Sequence, residues 1–338
     1  MKQVFVTGAP GWLGNRLVKG LTVGLEDYPR LPKAKKVRCL VLPGLESASL
    51  EQFPNVEIVY GDVRKKETLR GKMRGCEVVI HCVGIIHPKK VADFYAINTE
   101  GTKNVLEEAI RSKVKRFVFV SSNSAVGVNI SRKKLMKEED PCRPYKHYGK
   151  SKLLAEKLVN KVHRQGKMET VIVRGCWFYG VNQPPRQTEF FQMIKKGKPP
   201  LFGNGRNIRS MSYVDNMAQG LILAATTPKA KGKTYWIADE EAYETREIYQ
   251  TIAELLGVKK LKFLKIPGPA CWMFELADDV LQALGLYISK IHVAGEMNKN
   301  IACSIEKAKK ELGYCPKISL QEGMRRSIKW CQDHGQEI

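Results

Sequence analysis

The chain of 338 residues is long enough to bury a large core, and its composition, 43% hydrophobic and 27% charged, is that of an ordinary globular protein rather than a disordered or fibrous one. Its formal net charge of +23 first suggests binding to nucleic acid or to an anionic membrane. The basic groups are scattered and are not interleaved with aromatic side chains. Nucleic-acid binding is therefore disfavoured, and steering of an anionic cofactor or substrate explains the charge better.

The cysteines and the N-terminal residues indicate in which cellular compartment the protein is expected. Nine cysteines occur without a CxxC pair and without metal-like pairing with histidine. This usage predicts a reducing, cytoplasmic location and no metal site. The first residues, "MKQVFVTGAPG", run directly into a strand and a glycine turn, so no signal peptide is expected.

The first half of the chain alternates apolar runs with segments of helical periodicity. The predicted strands are residues 3–7, 37–42, 56–61, 77–83, 116–122 and 170–175. Continuous β-branched runs separated by helices indicate a parallel sheet with helices on both faces. The predicted fold class is therefore α/β, a Rossmann-type doubly wound parallel sheet with a smaller, mostly helical C-terminal substrate domain.

After Gly180 the pattern changes to proline-rich and glycine-rich loops around one helix, predicted at 188–197. The chain then returns to the sheet through "SMSYVDNMAQGLILAA" and "KTYWIA" and ends in mostly helical sequence. We predict a cofactor-binding Rossmann domain made of residues 1–180 and 212–242. Residues 181–211 and 243–338 are predicted to form the substrate-binding domain.

One apolar stretch, residues 269–288, contains three acidic residues that a membrane span would not tolerate at low cost. Trp272, Leu276, Val280, Leu281 and Leu284 recur at helical spacing, which predicts an amphipathic helix packed on a core or lining an apolar pocket. No transmembrane segment is expected, and peripheral contact with a membrane is left open.

The motif "TGAPGWLG" follows the first strand and opens the first helix, with Gly8, Gly11 and Gly14 in the spacing GxxGxxG. Such a turn needs a residue without a Cβ, a close backbone approach to a pyrophosphate, and a helix N-terminus that supplies donors to the phosphates. Because the turn ends the first of six predicted strands, it predicts a dinucleotide site.

Together with later motifs, this turn resembles the pattern of the extended short-chain dehydrogenase/reductase family. The glycine turn, "GDV" (61–63), "NTEGTKNV" (98–105), a serine-bearing end of the fifth strand and YxxxK occur in that family's order. The segments 212–220 and 307–330 are similar to its later parts. Membership implies a nicotinamide cofactor, redox chemistry on a small molecule, and a homodimer through helices near 98–112 and 148–164.

The cofactor-binding residues are expected at the carboxyl ends of the strands. Asp62 is suited to accept the adenine amino group, although capping of a helix N-terminus suits it equally well. NAD and NADP are not separated, because Leu42 stands where an acid or an arginine is diagnostic, and Arg16 or Arg38 is an alternative phosphate contact. The predicted contacts are Gly8, Gly11, Trp12, Leu13, Gly14, Leu42, Asp62, Val63, Cys82, Val83, Gly84, Tyr148, Lys152, Gly175 and Cys176.

The pentapeptide "YGKSK" places Tyr148 and Lys152 on one face of a helix. A tyrosine is a poor base at neutral pH, and a lysine ammonium one turn away, with the oxidised nicotinamide, is expected to lower its pKa. Tyr148 is the predicted acid/base and Lys152 its tuning partner and ribose contact. Resemblance to the hydroxysteroid-dehydrogenase branch selects Ser122 as the third catalytic residue, with Ser124 as its rival.

The segment "RGCWFYG" (174–180) indicates the type of substrate, because Trp177 replaces the asparagine found in many nucleotide-sugar relatives. This favours a largely apolar or mixed substrate, with Ser124, Trp177 and Arg209 as predicted contacts. Arg209 stands where sugar-nucleotide members bind phosphate, with Arg186 and Arg206 as possible helpers, and its alternative partner is Asp215.

Three hypotheses follow for the function. The preferred one is an NAD(P)-dependent oxidoreductase that transfers hydride at a secondary alcohol or ketone, with Tyr148 as acid/base. The second is a nucleotide-sugar epimerase that retains NAD. The third is a non-catalytic cofactor-binding scaffold that contacts RNA or a protein complex.

Overall fold

The computed structural model describes residues 1–338. Its strands are β1 Gln3–Thr7, β2 Lys36–Val41, β3 Val56–Tyr60, β4 Val78–His81, β5 Arg116–Ser122, β6 Glu169–Gly175, β7 Trp177–Tyr179, β8 Pro200–Phe202, β9 Ile208–Tyr213, β10 Thr234–Ile237, β11 Ala242–Glu244 and β12 Leu264–Ile266. Its α-helices are α1 Trp12–Thr22, α2 Ala48–Glu51, α3 Val91–Asp93, α4 Gly101–Arg111, α5 Lys146–Arg164, α6 Pro185–Lys195, α7 Val214–Thr226, α8 Thr245–Leu255, α9 Gly268–Ala283, α10 Ser289–Glu296, α11 Glu306–Leu312 and α12 Leu320–Asp333.

Seven parallel strands form the central sheet, in the order β10-β6-β5-β4-β1-β2-β3. Helices α1, α7 and α11 share a core with one face of the sheet, and α4 and α5 share a core with the other. This is the doubly wound arrangement that the sequence predicts. The strand order changes direction between β1 and β4, so the crevice at their carboxyl ends is the expected ligand site.

A second, aromatic-rich core lies beyond the sheet. It joins β7, β9 and β11, which form a three-stranded sheet, to α6, α8 and α12. The expectation that residues after 210 return to the central sheet is right for β10 and wrong for β9. The reason is that strand β6 ends before Cys176 and a new strand, β7, begins after it. Strand β9 pairs with β7 rather than with a strand of the large sheet. The proposed domain division stays a prediction.

The helix predicted in the apolar stretch 269–288 is present as α9, but the expected orientation is wrong. Its fully buried residues are Cys271, Asp278 and Gln282, whereas its large apolar side chains other than Leu281 are exposed. The inner face is polar because it covers the beginning of α5: the backbone N–H of His147 donates to Gln282, and Lys146 pairs with Asp279. No helix in the protein has the length and apolar character needed to cross a membrane.

Candidate active site

The glycine turn between β1 and α1 has the shape that a diphosphate requires. Gly8 has a φ of +70°, and a Cβ at Gly14 would lie 2.0 Å from the Gly8 carbonyl oxygen. Neither position therefore tolerates a side chain without distortion. The first turn of α1 has no side-chain N-cap, so its amide groups and the positive end of the helix dipole remain available to an anion.

The end of β4 meets this turn at the crevice between β1 and β4. A Cβ at Gly8 would be 3.0 Å from the Val83 nitrogen, and one at Gly84 would be 3.7 Å from the Lys152 ammonium. The structure thus brings together Gly8, Val83, Gly84 and Lys152, which the sequence predicted as cofactor contacts. Their small side chains and donor groups fit a dinucleotide with its nicotinamide end near Lys152.

The residues predicted for the adenine end have other partners. Asp62 is buried and accepts hydrogen bonds from the Arg64 backbone nitrogen at 2.9 Å and from its guanidinium. The two alternative phosphate contacts also have protein partners, and their role stays a prediction. Arg16 is held by both carboxylate oxygens of Asp215, and the Arg38 guanidinium donates to the Lys72 carbonyl oxygen.

Of two further cofactor candidates and a histidine, one is exposed and the other two are held by protein partners. Leu42 is exposed just beyond β2, and the Trp12 indole donates to the Val181 carbonyl oxygen at 2.7 Å. His81 is fully buried between the hydroxyl groups of Thr7 and Thr102, and burial lowers its pKa to about 3. It is therefore neutral at physiological pH.

Tyr148 and Ser122 meet at the carboxyl end of β5. Burial raises the pKa of Tyr148, and the nearby Ser122 side chain partly offsets this. Ser122 also accepts a hydrogen bond from the Ser124 backbone nitrogen at 3.2 Å, which fixes its hydroxyl. Of the two candidate serines, Ser122 is the one whose side chain lowers the Tyr148 pKa, and its hydroxyl also donates to the Asn123 side-chain oxygen at 3.4 Å.

Lys152 lies on the same face of α5 but is not the group that acts on the Tyr148 pKa. Its ammonium donates to the Val120 carbonyl oxygen at 2.7 Å and stands 4.2 Å from the centre of the Phe119 ring. Burial lowers the pKa of Lys152 to about 8, against the raising effect of Glu156. The expectation that this lysine lowers the tyrosine pKa is not met, because its charge is directed to a strand carbonyl.

Two residues at this site were given no role by the sequence. A Cβ at Gly149 would lie 2.1 Å from the Ser124 carbonyl oxygen, so this glycine lets α5 reach the serine turn. Asn98, fully buried in a π-helical segment, donates to Ser151 and exchanges two hydrogen bonds with the Ile85 backbone. The π-helical turn indicates a functional role for Asn98, because such turns are frequent at functional sites. This turn is visible in the structure but has no signature in the sequence.

Two of the predicted substrate contacts, Arg209 and Trp177, already contact other side chains of the protein. Arg209 pairs with Glu296 at 3.0 Å, so the expected alternative, an ion pair with Asp215, is wrong. The cause is that β9 faces α10, while Asp215 at the start of α7 faces α1. Trp177 stacks between Phe190 and the Arg209 guanidinium at 5.7 and 5.8 Å.

Gly175 and Cys176, predicted as cofactor contacts, lie at the end of β6, where Gly175 is the register partner of Ser122. A Cβ at Gly175 would meet the Phe178 ring at 2.6 Å, so its glycine is required by packing. Cys176 is buried with its sulfur 3.6 Å from that of Cys303. Both residues thus have structural contacts beside the site.

The space beside the Tyr148 ring is bounded by aromatic and polar groups. Phe94 packs at 5.8 Å from the Tyr148 ring and at 5.1 Å from that of Tyr287. The Tyr287 hydroxyl is 3.0 Å from a ring nitrogen of His87. Burial raises the Tyr148 pKa and lowers that of His87, and the positive charge of Arg186 lowers the pKa of both groups.

Comparison with known proteins connects this geometry to a family. The model of the 3-beta hydroxysteroid dehydrogenase/isomerase family matches residues 5–267. An uncharacterized protein of Sinorhizobium fredii is 46% identical over 99% of this chain and 96% of its own length. A UDP-glucose 4-epimerase from Vibrio cholerae is 26% identical over 97% of this chain and 95% of its own length.

A solved structure shows the same fold. A dTDP-glucose 4,6-dehydratase from Streptomyces venezuelae, described with NAD bound, superposes with a TM-score of 0.80 over 99% of both chains at 24% identity. The family and the similar proteins are NAD-dependent dehydrogenases, epimerases and dehydratases, so this protein is an enzyme that uses a nicotinamide cofactor. The chain belongs to the 3-beta hydroxysteroid dehydrogenase/isomerase family.

Proposed function

We propose that the protein is an NAD(P)-dependent oxidoreductase that transfers hydride at a secondary alcohol or ketone, with Tyr148 as the acid/base. The observation that carries this is the close packing of the Tyr148 helix on the serine turn, which brings the Ser122 side chain beside the Tyr148 phenol. This pair lies at the same edge of the sheet as the glycine turn and the buried Lys152 ammonium. It supplies a proton-transfer group and a donor for a substrate oxygen where the hydride would move.

The residues divide the work as follows. When bound, the nicotinamide supplies the hydride acceptor or donor. Ser122 holds the substrate oxygen, and Tyr148 exchanges a proton with it. Because burial raises the Tyr148 pKa, the phenol is protonated at neutral pH, which favours its action as a general acid in ketone reduction. Asn98 holds the Tyr148 turn of α5 through Ser151, whose hydroxyl donates to the Tyr148 carbonyl oxygen at 2.8 Å.

A mixed substrate, apolar on one side and polar on the other, suits the walls of this space. Phe94 and Tyr287 offer ring surfaces, while His87 and Arg186 offer nitrogen groups beside them. The expected apolar wall from α9 is absent, since its inner face carries Asp278 and Gln282. The pocket is therefore proposed for a ring-containing substrate with at least one polar substituent.

The test of the proposal is Tyr148→Phe in the full-length enzyme. Turnover should fall by about 10²–10⁴-fold, the range of a lost general acid–base contribution, while NAD(P)H binding measured by fluorescence is retained. Tyr145→Phe is the matched control. It removes a buried hydroxyl that has no hydrogen-bond partner and should leave turnover unchanged. Turnover that survives in Tyr148→Phe refutes the assignment.

A nucleotide-sugar epimerase is the second candidate, and one observation favours it. The Nε of Arg209 is buried without a hydrogen-bond partner, although the rest of the guanidinium is bound to Glu296. A diphosphate oxygen would satisfy it. Net formation of reduced nicotinamide during turnover separates the candidates, because an epimerase returns the hydride to its substrate. The choice of NAD over NADP, the cytoplasmic location and the homodimer through α4 and α5 stay predictions.

A further inference from the structure

Helix α9 exposes an apolar face that neither the catalytic site nor the fold explains. Ten of the nineteen large hydrophobic side chains that are exposed lie between residues 264 and 293. A helix on a globular protein normally buries its apolar stripe and exposes its polar one. Here the buried residues include Asp278 and Gln282, while Trp272 and Leu284 are 63% and 71% exposed.

The exposed residues form one continuous stripe. With 3.6 residues per turn, they fall within an arc of about 120° on the side opposite the buried polar residues. We call this stripe the apolar face of α9, and it consists of Trp272, Met273, Leu276, Val280 and Leu284. Beyond the helix end, Leu286 and Ile288 extend it with further exposed apolar side chains. A stripe of this kind on a soluble surface marks an interaction site.

The polar inner face fixes the helix in this orientation. Asp278 accepts hydrogen bonds from Gln282 and His292, both at 2.8 Å, and Glu275 pairs with Lys299 at 2.7 Å. Rotation of α9 to bury the apolar face would break these pairs and leave charges uncompensated. The apolar face is thus a built feature of the folded protein rather than a loosely packed surface helix.

Positive charge surrounds the apolar face on the same part of the surface. Lys262 and Lys265 are exposed just before α9, and Lys290 just after it. Lys89 and Lys90 are exposed in a loop that is joined to Leu286 and Tyr287 by backbone hydrogen bonds. None of the five takes part in an ion pair, whereas the one exposed acid of α9, Asp279, is neutralised by Lys146.

We propose that the apolar face of α9 docks on an anionic lipid surface as a peripheral membrane anchor. An amphipathic helix with Trp, Met and Leu on one side and lysines at its margins is the composition that lies in the plane of a bilayer interface. Unpaired lysines add attraction to anionic headgroups. A second copy of this chain is a poorer occupant, because a two-fold contact through this face would bring the same uncompensated lysines together.

Docking in this orientation has a consequence for the enzyme that rests on the proposed function. The inner face of α9 contacts the first residues of α5, two positions before Tyr148. The bilayer would therefore lie on the outer side of a helix that contacts the start of the Tyr148 helix, α5. A substrate with an apolar ring system that partitions into lipid would then reach Tyr148 from the membrane side.

The experiment is sedimentation of the full-length protein with vesicles of phosphatidylcholine alone or mixed equally with phosphatidylglycerol. Wild type should bind the mixed vesicles, less so at high salt, and hardly bind the neutral ones. The double variant Met273→Gln/Leu284→Gln should lower the partition coefficient by on the order of 100-fold. Lys265→Gln/Lys290→Gln should remove the preference for phosphatidylglycerol.

The matched control is Ile130→Gln, since Ile130 is 78% exposed but lies outside the apolar face. It should bind vesicles as wild type does, and thermal unfolding should be unchanged in all variants because the altered side chains are exposed. Absence of vesicle binding by wild type overturns the proposal, as does unaltered binding by the Met273/Leu284 variant. A dimer that this variant dissociates, without vesicle binding, assigns the face to a second copy instead. Vesicle binding is measured without turnover, so its failure is distinct from failure of the proposed reaction.

Discussion

At the scale of single residues, Tyr148 and Lys152 lie on one helix face as predicted, but the contact that the Lys152 ammonium makes differs from the expected one. Four-residue spacing establishes that both lie on one face of α5, and they do. It does not establish what lies between them, and Lys152 donates to the Val120 carbonyl oxygen of β5. A contact from another element thus decides the electrostatics, which the sequence of α5 alone does not contain.

The low pKa of Lys152 predicts a pH dependence of cofactor binding. Burial lowers this pKa to about 8, so the ammonium is present below that pH and is lost above it. If the ammonium holds the nicotinamide ribose, the affinity for NAD(P) falls as the pH rises through about 8, approaching tenfold per pH unit. Fluorescence titration of the cofactor across this range measures the effect.

Lys152→Met should bind the cofactor weakly with a flat profile through this pH range. Lys150→Met, which removes an exposed lysine from the same helix, should keep the wild-type profile and serves as the control. A wild-type profile in the Lys152 variant would show that another group titrates.

Other residues mark the limit of sequence reasoning at this scale. Gly8 and Gly14 were predictable because a turn between strand and helix imposes a specific backbone shape, which the structure confirms. Asn98 was not singled out, because a single asparagine in a helical pattern has no local signature. The alternative ion-pair partner expected for Arg209, Asp215, was wrong, because its partner in the structure, Glu296, is distant in sequence.

At the scale of elements, Gly149 controls how closely α5 approaches the serine turn. A Cβ there would stand 2.1 Å from the carbonyl oxygen and 2.9 Å from the carbonyl carbon of Ser124. Both atoms belong to the backbone, so only a shift of the helix relieves the clash. Because Tyr148 is on that helix and Ser122 is joined to that turn, the shift would separate the catalytic pair.

Gly149→Ala should therefore lower turnover by on the order of 100-fold, as expected for a displacement of about 1 Å between reacting groups. It should also lower the free energy of unfolding by about 1–3 kcal/mol through overpacking. Steady-state kinetics and urea unfolding measure the two effects. Gly268→Ala, where a Cβ meets nothing within 4 Å, is the control and should change neither. Full turnover in Gly149→Ala would mean that the spacing of α5 is not critical.

The strands and α9 show what periodicity does and does not predict. The central strands were placed to within a residue or two, because continuous β-branched runs occur only where both faces of a sheet are covered. In α9 the pattern identified correctly which residues share a face, but not which face is buried. That choice depends on partners such as Lys146 and His292, which the helix sequence does not reveal.

At the scale of the whole molecule, one buried carboxylate links the central sheet to the second core. Asp239 follows β10 and accepts hydrogen bonds from the Tyr179 hydroxyl, the Tyr213 backbone nitrogen and the Asn216 amide, at 2.7, 2.9 and 2.7 Å. Asn216 also donates to the Ile318 carbonyl oxygen near the start of α12. Four separate parts of the chain therefore meet at one ionisable group.

This group predicts how stability varies with pH. Burial, against these hydrogen bonds, raises the pKa of Asp239 from 3.8 to about 7. Between these values the folded state holds a proton that the unfolded state has released. The contribution of Asp239 is therefore fully present below about pH 4 and is lost as the pH rises through about 7, by up to about 4 kcal/mol.

Asp239→Asn removes this titration and isolates its effect. The variant is expected to be less stable at every pH. Its side-chain NH₂ group is a donor and would face the donors that hydrogen-bond to the Asp239 carboxylate. The difference in free energy of unfolding between wild type and variant should nevertheless shrink as the pH rises from 4 to 7, and urea unfolding at several pH values measures it. Asp333→Asn, at an exposed carboxylate near the C-terminus, should give a curve parallel to wild type. A constant difference between Asp239→Asn and wild type across this range would mean that Asp239 is ionised throughout, with its three donors outweighing burial.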